Sequence, residues 1–207
     1  MPIAMQADFR DGRTVKSVTF IVDENPVPVA AVFSIGEGRQ KLKLATRMRL
    51  NRETDVRAVV ETSDGQLYMA QRFVKFAGGQ AACSAPPTGD AASIAASMGK
   101  MELALEEPAT NATQLRPGAT LTINHPNHSG MVLDQISLLY IPLRTVEEVE
   151  VRQGDDLVFS MQGSMTLSQD PQVTFDYRTN GADALHVHVT DTDGAAWDQD
   201  FAIGHGS

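Results

Sequence analysis

The residues whose types and spacing could do chemistry are one thiol, four histidines in two pairs and an alternating basic run. Cys83 is the only cysteine. It sits in GGQAACSAPPTG, where glycines, alanines and the pair Pro86-Pro87 are turn and coil chemistry. A structural cysteine normally lies among apolar strand residues, being one of the most buried types. The neighbours of Cys83 offer little apolar cover, so an exposed thiol on a pliable arm is expected. The six residues from Ala77 span at most about 20 Å when extended, enough to enter another protein's active site. An incidental loop cysteine is the competing reading, and no cation adjacent in sequence lowers the thiol pKa.

His125 and His128 flank Pro126-Asn127, and His186 and His188 share one face of a strand because side chains alternate along it. Imidazoles so spaced can ligate zinc or copper. No carboxylate or thiol partner is implied by the sequence, and nothing in it joins the two pairs, so no metal is assigned. In QKLKLATRMRL, residues Leu42, Leu44, Thr46, Met48 and Leu50 take one face, and Lys41, Lys43, Arg47 and Arg49 the other. That basic face could draw an anionic substrate or an acidic partner. The solvated face of an antiparallel strand is the commoner reading, and the run could also lie against the acidic second half. SIGEGR and AGGQAA lack the strand-to-helix setting of a phosphate loop, and no catalytic triad or acid pair stands out. Any covalent chemistry belongs to Cys83.

The elements that must position these residues are strands. The chain has 207 residues, of which 42% are apolar, enough for one large domain or two small ones. Its net charge of −9 argues against nucleic acid, whose phosphates call for a basic face. Residues 1–99 carry 12 lysines and arginines against 10 acids, and residues 100–207 carry 5 against 16. That step supports two modules. No apolar run approaches the roughly 20 residues of a membrane helix, and no charged and apolar leader opens the chain. A single cysteine excludes an internal disulfide.

In the first half VKSVTFIVD, VAAVFSI, the alternating basic run, DVRAVVET and LYMAQRFVKF read as strands, the last two as a hairpin about SDG. In the second, KMELALEE, ATLTINHP, TVEEVEVRQ, LVFSMQGSM, PQVTFDYR, ALHVHVTD and AWDQDFAI do the same. Between them Asp90 caps a short alanine-rich helix that stops at Gly99. HPNHSGMVLDQISLLYIP is the least regular stretch. The expected fold is all-β: two immunoglobulin-like β-sandwich domains joined by a Gly/Ala/Pro-rich arm with a short helix. The expected boundaries are 1–82 for the first domain, 83–99 for the cysteine arm and linker, and 100–207 for the second.

KSVTFIVDENPVPVAAVF, TRMRLNRETDVRAVVETSDGQLYMAQRFVKFAGG and the cysteine beyond resemble the SoxY sulfur-carrier subunit. INHPNHSGM, IPLRTVEEVEV, SQDPQVTFDYRTNGA and DTDGAAWDQDFAI resemble its partner SoxZ. Together they are similar to the fused SoxYZ-like carriers associated with quinoprotein dehydrogenases. The resemblance implies a periplasmic carrier without a catalytic site or cofactor of its own. Cys83 would hold sulfur intermediates derived from thiosulfate or sulfide. The implied partners are sulfur-oxidising enzymes or a quinoprotein dehydrogenase system, with no nucleic acid and no membrane. In separate-subunit carriers the arm ends as Gly-Gly-Cys-Gly-Gly. Here Gly78 and Gly79, the implied hinge, precede QAAC and the chain continues, so an arm tethered at both ends sweeps less volume. The resemblance also implies more chain ahead of PIAMQAD, so an exposed strand edge is expected at residues 1–14. The alternative is an accessory or interaction module of a periplasmic quinoprotein dehydrogenase system, with Cys83 incidental.

Overall fold

Period-two alternation produces strands wherever it was expected. A computed structural model describes residues 1–75, 82–106, 117–135 and 137–203. The first half forms β1 (Pro2–Asp8), β2 (Val15–Val22), β3 (Val29–Ile35), β4 (Lys41–Arg47), β5 (Thr54–Thr62) and β6 (Leu67–Val74). The second half forms β7 (Met101–Glu106), β8 (Gly118–Ile123), β9 (Val146–Gln153), β10 (Asp156–Gly163), β11 (Gln172–Asp176), β12 (Ala184–Asp191) and β13 (Ala196–Ala202). The class is all-β with one short helix, as expected. In β4 the buried face is Leu42, Leu44 and Thr46; Met48 and Leu50 beyond its end are buried too.

The strands make two sheets, ordered β1-β4-β11-β8-β7 and β13-β12-β9-β10-β3-β2-β5-β6. Each half supplies strands to both sheets, so each half is a sandwich, and the two are joined edge to edge. The seam in one sheet is β3 against β10, with Ile35 opposite Phe159 and Phe33 opposite Met161. In the other it is β4 against β11, with Leu44 opposite Phe175. Both seams are antiparallel, so backbone donors and acceptors that would form open edges pair with each other.

The core runs across the seam. Phe20 meets Phe33 edge-on at 6.0 Å, Phe33 meets Phe159 at 5.6 Å, and Phe159 meets Phe175 at 5.0 Å. These four rings are fully or almost fully buried, and such geometry adds to the area they bury. Beside them Arg39 and Asp176, one from each half, form a buried ion pair at 3.0 Å. Asp176 Oδ1 also accepts the Lys43 backbone N–H at 2.7 Å, so its charge is bound from two sides. At the far end of the first half, among the described residues, β1 pairs only with β4, the exposed edge expected there, and β6 pairs only with β5.

The connector between the halves carries a 3₁₀ turn (Ala82–Ser84) and helix α1 (Ala91–Ser97). Asp90 caps α1 as expected, its carboxylate accepting the Ala92 and Ser93 N–H groups at 3.0 Å each. Beyond the helix Gly99 has φ of +77°, and a Cβ there would come within 2.1 Å of Trp197 on β13. The residue must be glycine for two reasons, a left-handed backbone and a ring pressed against it. The described residues of 125–142 form the irregular connection anticipated, held by isolated bridges such as His128 with Arg144.

Candidate functional site

Cys83 corrects the expectation of an exposed thiol: it is buried, with 1% of its surface accessible. The small residues around it do not cover it; residues distant in the chain do. Its N–H donates to Asn51 Oδ1 at 3.0 Å, and its carbonyl accepts the Ser129 hydroxyl. Asn51 belongs to the first half and is steadied by its own N–H bond to Asn25 Oδ1 at 3.1 Å. Ser129 belongs to the second half and is buried. The 3₁₀ turn is thus gripped from both sides.

Burial pushes the Cys83 thiol above its ordinary value, and the Arg49 guanidinium nearby pulls it back. Arg49 also departs from its expected place. It does not join an exposed basic face but is partly buried, donating to the Asn127 carbonyl at 2.7 Å and the Met165 carbonyl at 3.0 Å. The alternation runs on past β4, with Met48 and Leu50 buried, so Arg49 does turn to the other face; there the carbonyls of Pro126, Asn127 and Met165 from the second half cover it. Lys41, Lys43 and Arg47 remain exposed as expected, and Lys41 lies 3.4 Å from Asp8 on the neighbouring strand. Gly78 and Gly79, the expected hinge, lie outside the described residues.

The wall behind Cys83 is the segment HPNHSG. Asn127 is fully buried with a φ of 48°, a left-handed conformation that asparagine tolerates better than most residues. Its side chain donates to the Leu167 carbonyl at 2.9 Å and accepts the Val146 N–H at 2.9 Å. Its own N–H donates to His125 Nδ1 at 3.0 Å, which leaves the His125 proton on Nε2, facing Asp191 Oδ2 at 3.4 Å. Burial lowers the His125 pKa despite that carboxylate, so the ring is a neutral structural link. Burial would raise Asp191, yet hydrogen bonds from Arg144, Ala195 N–H and His125 hold it below the usual carboxylate range. These bonds fix the loop that presents Ser129.

The histidine pairs stay apart in role. His186 Nδ1 faces Asp200 Oδ1 at 2.8 Å, and His188 Nδ1 faces Asp198 Oδ1 at 2.7 Å, all on the exposed face of the β12–β13 hairpin. His125 is committed to the loop, and burial, with Arg49 and Arg144, lowers His128. Among the described residues no cluster of three or more histidine, cysteine or acidic side chains is arranged to hold a metal.

Asn51 and Ser129 were not anticipated as site residues. The sequence carried one partial signal: Ser129 lies within the HPNHSG segment already singled out, while Asn51 follows the basic run as an ordinary turn residue. Next to the cysteine turn lies a groove of about 930 Å³ lined by residues that include Pro86, Ile94, Met98, Met131 and Tyr140. Tyr140, which lines it, is exposed, as are the preceding Leu138 and Leu139.

Residues 1–83 match the family model described as sulfur oxidation protein SoxY, and residues 110–202 match the one described as sulphur oxidation protein SoxZ. No curated protein matches the chain.

Proposed function

The chain belongs to the SoxY and SoxZ families, fused in one polypeptide, and is a sulfur-oxidation protein; we propose that it is a periplasmic carrier that holds sulfur intermediates covalently on Cys83. One observation carries this reading. The SoxY match ends on Cys83, the only thiol of the chain, and the SoxZ-like half closes over that residue through Ser129.

The chemistry is that of a thiolate at sulfur. With thiosulfate, the Cys83 thiolate joins the outer sulfur, forming Cys–S–S–SO3⁻ as two electrons pass to the redox centre of a partner enzyme. With tetrathionate no outside oxidant is needed. The thiolate attacks an inner sulfur, the central S–S bond breaks, and thiosulfate leaves with the electron pair. Arg49 favours the thiolate over the thiol, since a cation nearby stabilises the charged form. The protein carries the group, and partner enzymes of sulfur oxidation or a quinoprotein dehydrogenase system oxidise or hydrolyse it. Lys41, Lys43 and Arg47 offer exposed cations to anionic sulfur species or partners, an attraction that salt screens.

Incubation with tetrathionate followed by intact-mass measurement tests the carrier. A single adduct removed by dithiothreitol and missing from Cys83→Ala is expected. A mass unchanged across alkaline pH sinks the reading. That outcome would favour the second one, an accessory module of a dehydrogenase system with Cys83 incidental, which the burial of the thiol supports. Osmotic-shock fractionation of cells that make the protein checks the periplasmic location.

A further inference from the structure

We infer that Asn51 and Ser129 are positioning residues that clasp the backbone of Cys83 and keep its thiol withheld, so that sulfur chemistry begins only when the clasp opens. This rests on the carrier reading and adds how that site is regulated.

Three observations meet here. The grip is on the N–H and the carbonyl of Cys83 itself, not on its side chain, so it sets where the whole residue sits. The two gripping side chains come from opposite halves, 32 residues before and 46 residues after the cysteine. Each is also held by its own neighbours: Asn51 through Asn25, and Ser129 by the Met131 N–H donating to its hydroxyl at 3.3 Å. Under this grip Cys83 is buried, only 1% of the residue being accessible, too little for a nucleophile to meet a sulfur donor in line. Helix α1, which follows the turn, has no buried residue. Few apolar contacts therefore oppose lifting the turn, and segments poor in such contacts open locally far below the cost of global unfolding.

A clasp of this kind has a chemical use. A persulfide or thiosulfonate loses its sulfur to any passing thiol by the exchange that loads it. A withheld attachment atom gives up its cargo only where a partner opens the clasp.

The test is the alkylation rate of the full-length protein by iodoacetamide, which reads access to the thiol without any sulfur loading. Removing one net hydrogen bond shifts a local opening equilibrium by about fivefold. Asn51→Ala and Ser129→Ala should each therefore label about fivefold faster than wild type with Tm nearly unchanged, and the double variant faster still. Asn51→Asp and Ser129→Thr keep the acceptor and the hydroxyl, so they should label close to the wild-type rate. They also serve if an alanine variant fails to fold. Labelling that stays flat in low urea, where a globally unfolding protein would speed up, supports local opening. Wild-type labelling as fast as that of an unfolded peptide, or alanine variants no faster than wild type, would overturn the clasp. If the alanine variants label faster but no form ever takes a tetrathionate adduct, the clasp stands and the carrier reading fails. If wild type loads fully while the alanine variants label no faster, the clasp fails and the carrier stands.

Discussion

At the scale of single residues, the competition that matters is between burial and charge at Cys83. Desolvation raises the thiol pKa, and Arg49 opposes it. Arg49→Gln removes the cation while keeping an N–H donor for the carbonyls of Asn127 and Met165. The thiolate then loses its nearest counter-charge, and the pH profile of Cys83 alkylation should move to higher pH. A profile that stays in place, or moves down, would show that Arg49 acts only as a loop support. The linked stability has a definite sign. A thiol with a native pKa above its unfolded value of about 8.5 stabilises the native state below that pH, and this share fades as pH rises through the native value. A buried neutral His125 behaves oppositely: its share is present above about 6.5 and is lost on acidification toward its lowered native value.

At the scale of elements, the connector is seated by contacts at both of its ends. Before α1 the cysteine turn is clasped; after it, Gly99 lets the chain pass under Trp197. Gly99→Ala places a methyl where the indole lies and requires an L-residue at φ of +77°. Overpacking of this kind costs about 1 to 3 kcal/mol. Trp197 is the only tryptophan, so its emission reports the displacement directly. A variant with wild-type emission and Tm would mean that the connector tolerates a different path. The same logic explains the misplacement of Arg49. Alternation still turns it away from Met48 and Leu50, but the carbonyls of Asn127 and Met165, far along the chain, lie over that face.

At the scale of the whole molecule, two sheets that cross the seam should make the halves one cooperative unit. Phe159 sits at the join, opposite Ile35 in the register and touching both Phe33 and Phe175. Phe159→Ala should cost about 3 to 5 kcal/mol, the range for a large buried aromatic. Calorimetry should show one transition in wild type, moved down as a whole in the variant. Two separated transitions, with only the second-half one displaced, would show that the halves are stable alone and merely docked. The charge step between the halves fits a joined molecule, because Arg39 from the cationic half meets Asp176 from the acidic one inside the core.

The sequence by itself determined what depends on near neighbours. Alternation in VKSVTFIV and ALHVHVTD sets which face of β2 and β12 is buried, because side chains reverse at every strand residue. Asp90 and Gly99 bound α1 because a capping carboxylate and a positive φ are local needs. The irregular course of the described residues in 125–142 was legible in the same way. Only the tertiary structure decided the fate of Cys83. Its cover comes from Asn51, Ser129 and the loop held by His125 and Asn127, all far along the chain. No window of sequence around the thiol contains them. The edge pairing of β3 with β10 and of β4 with β11 is likewise a choice among many possible edges, made where Phe33, Phe159 and Phe175 could share one buried stack. Solvent exposure is a property of everything that folds over a residue, and for Cys83 that is contributed by both halves of the molecule.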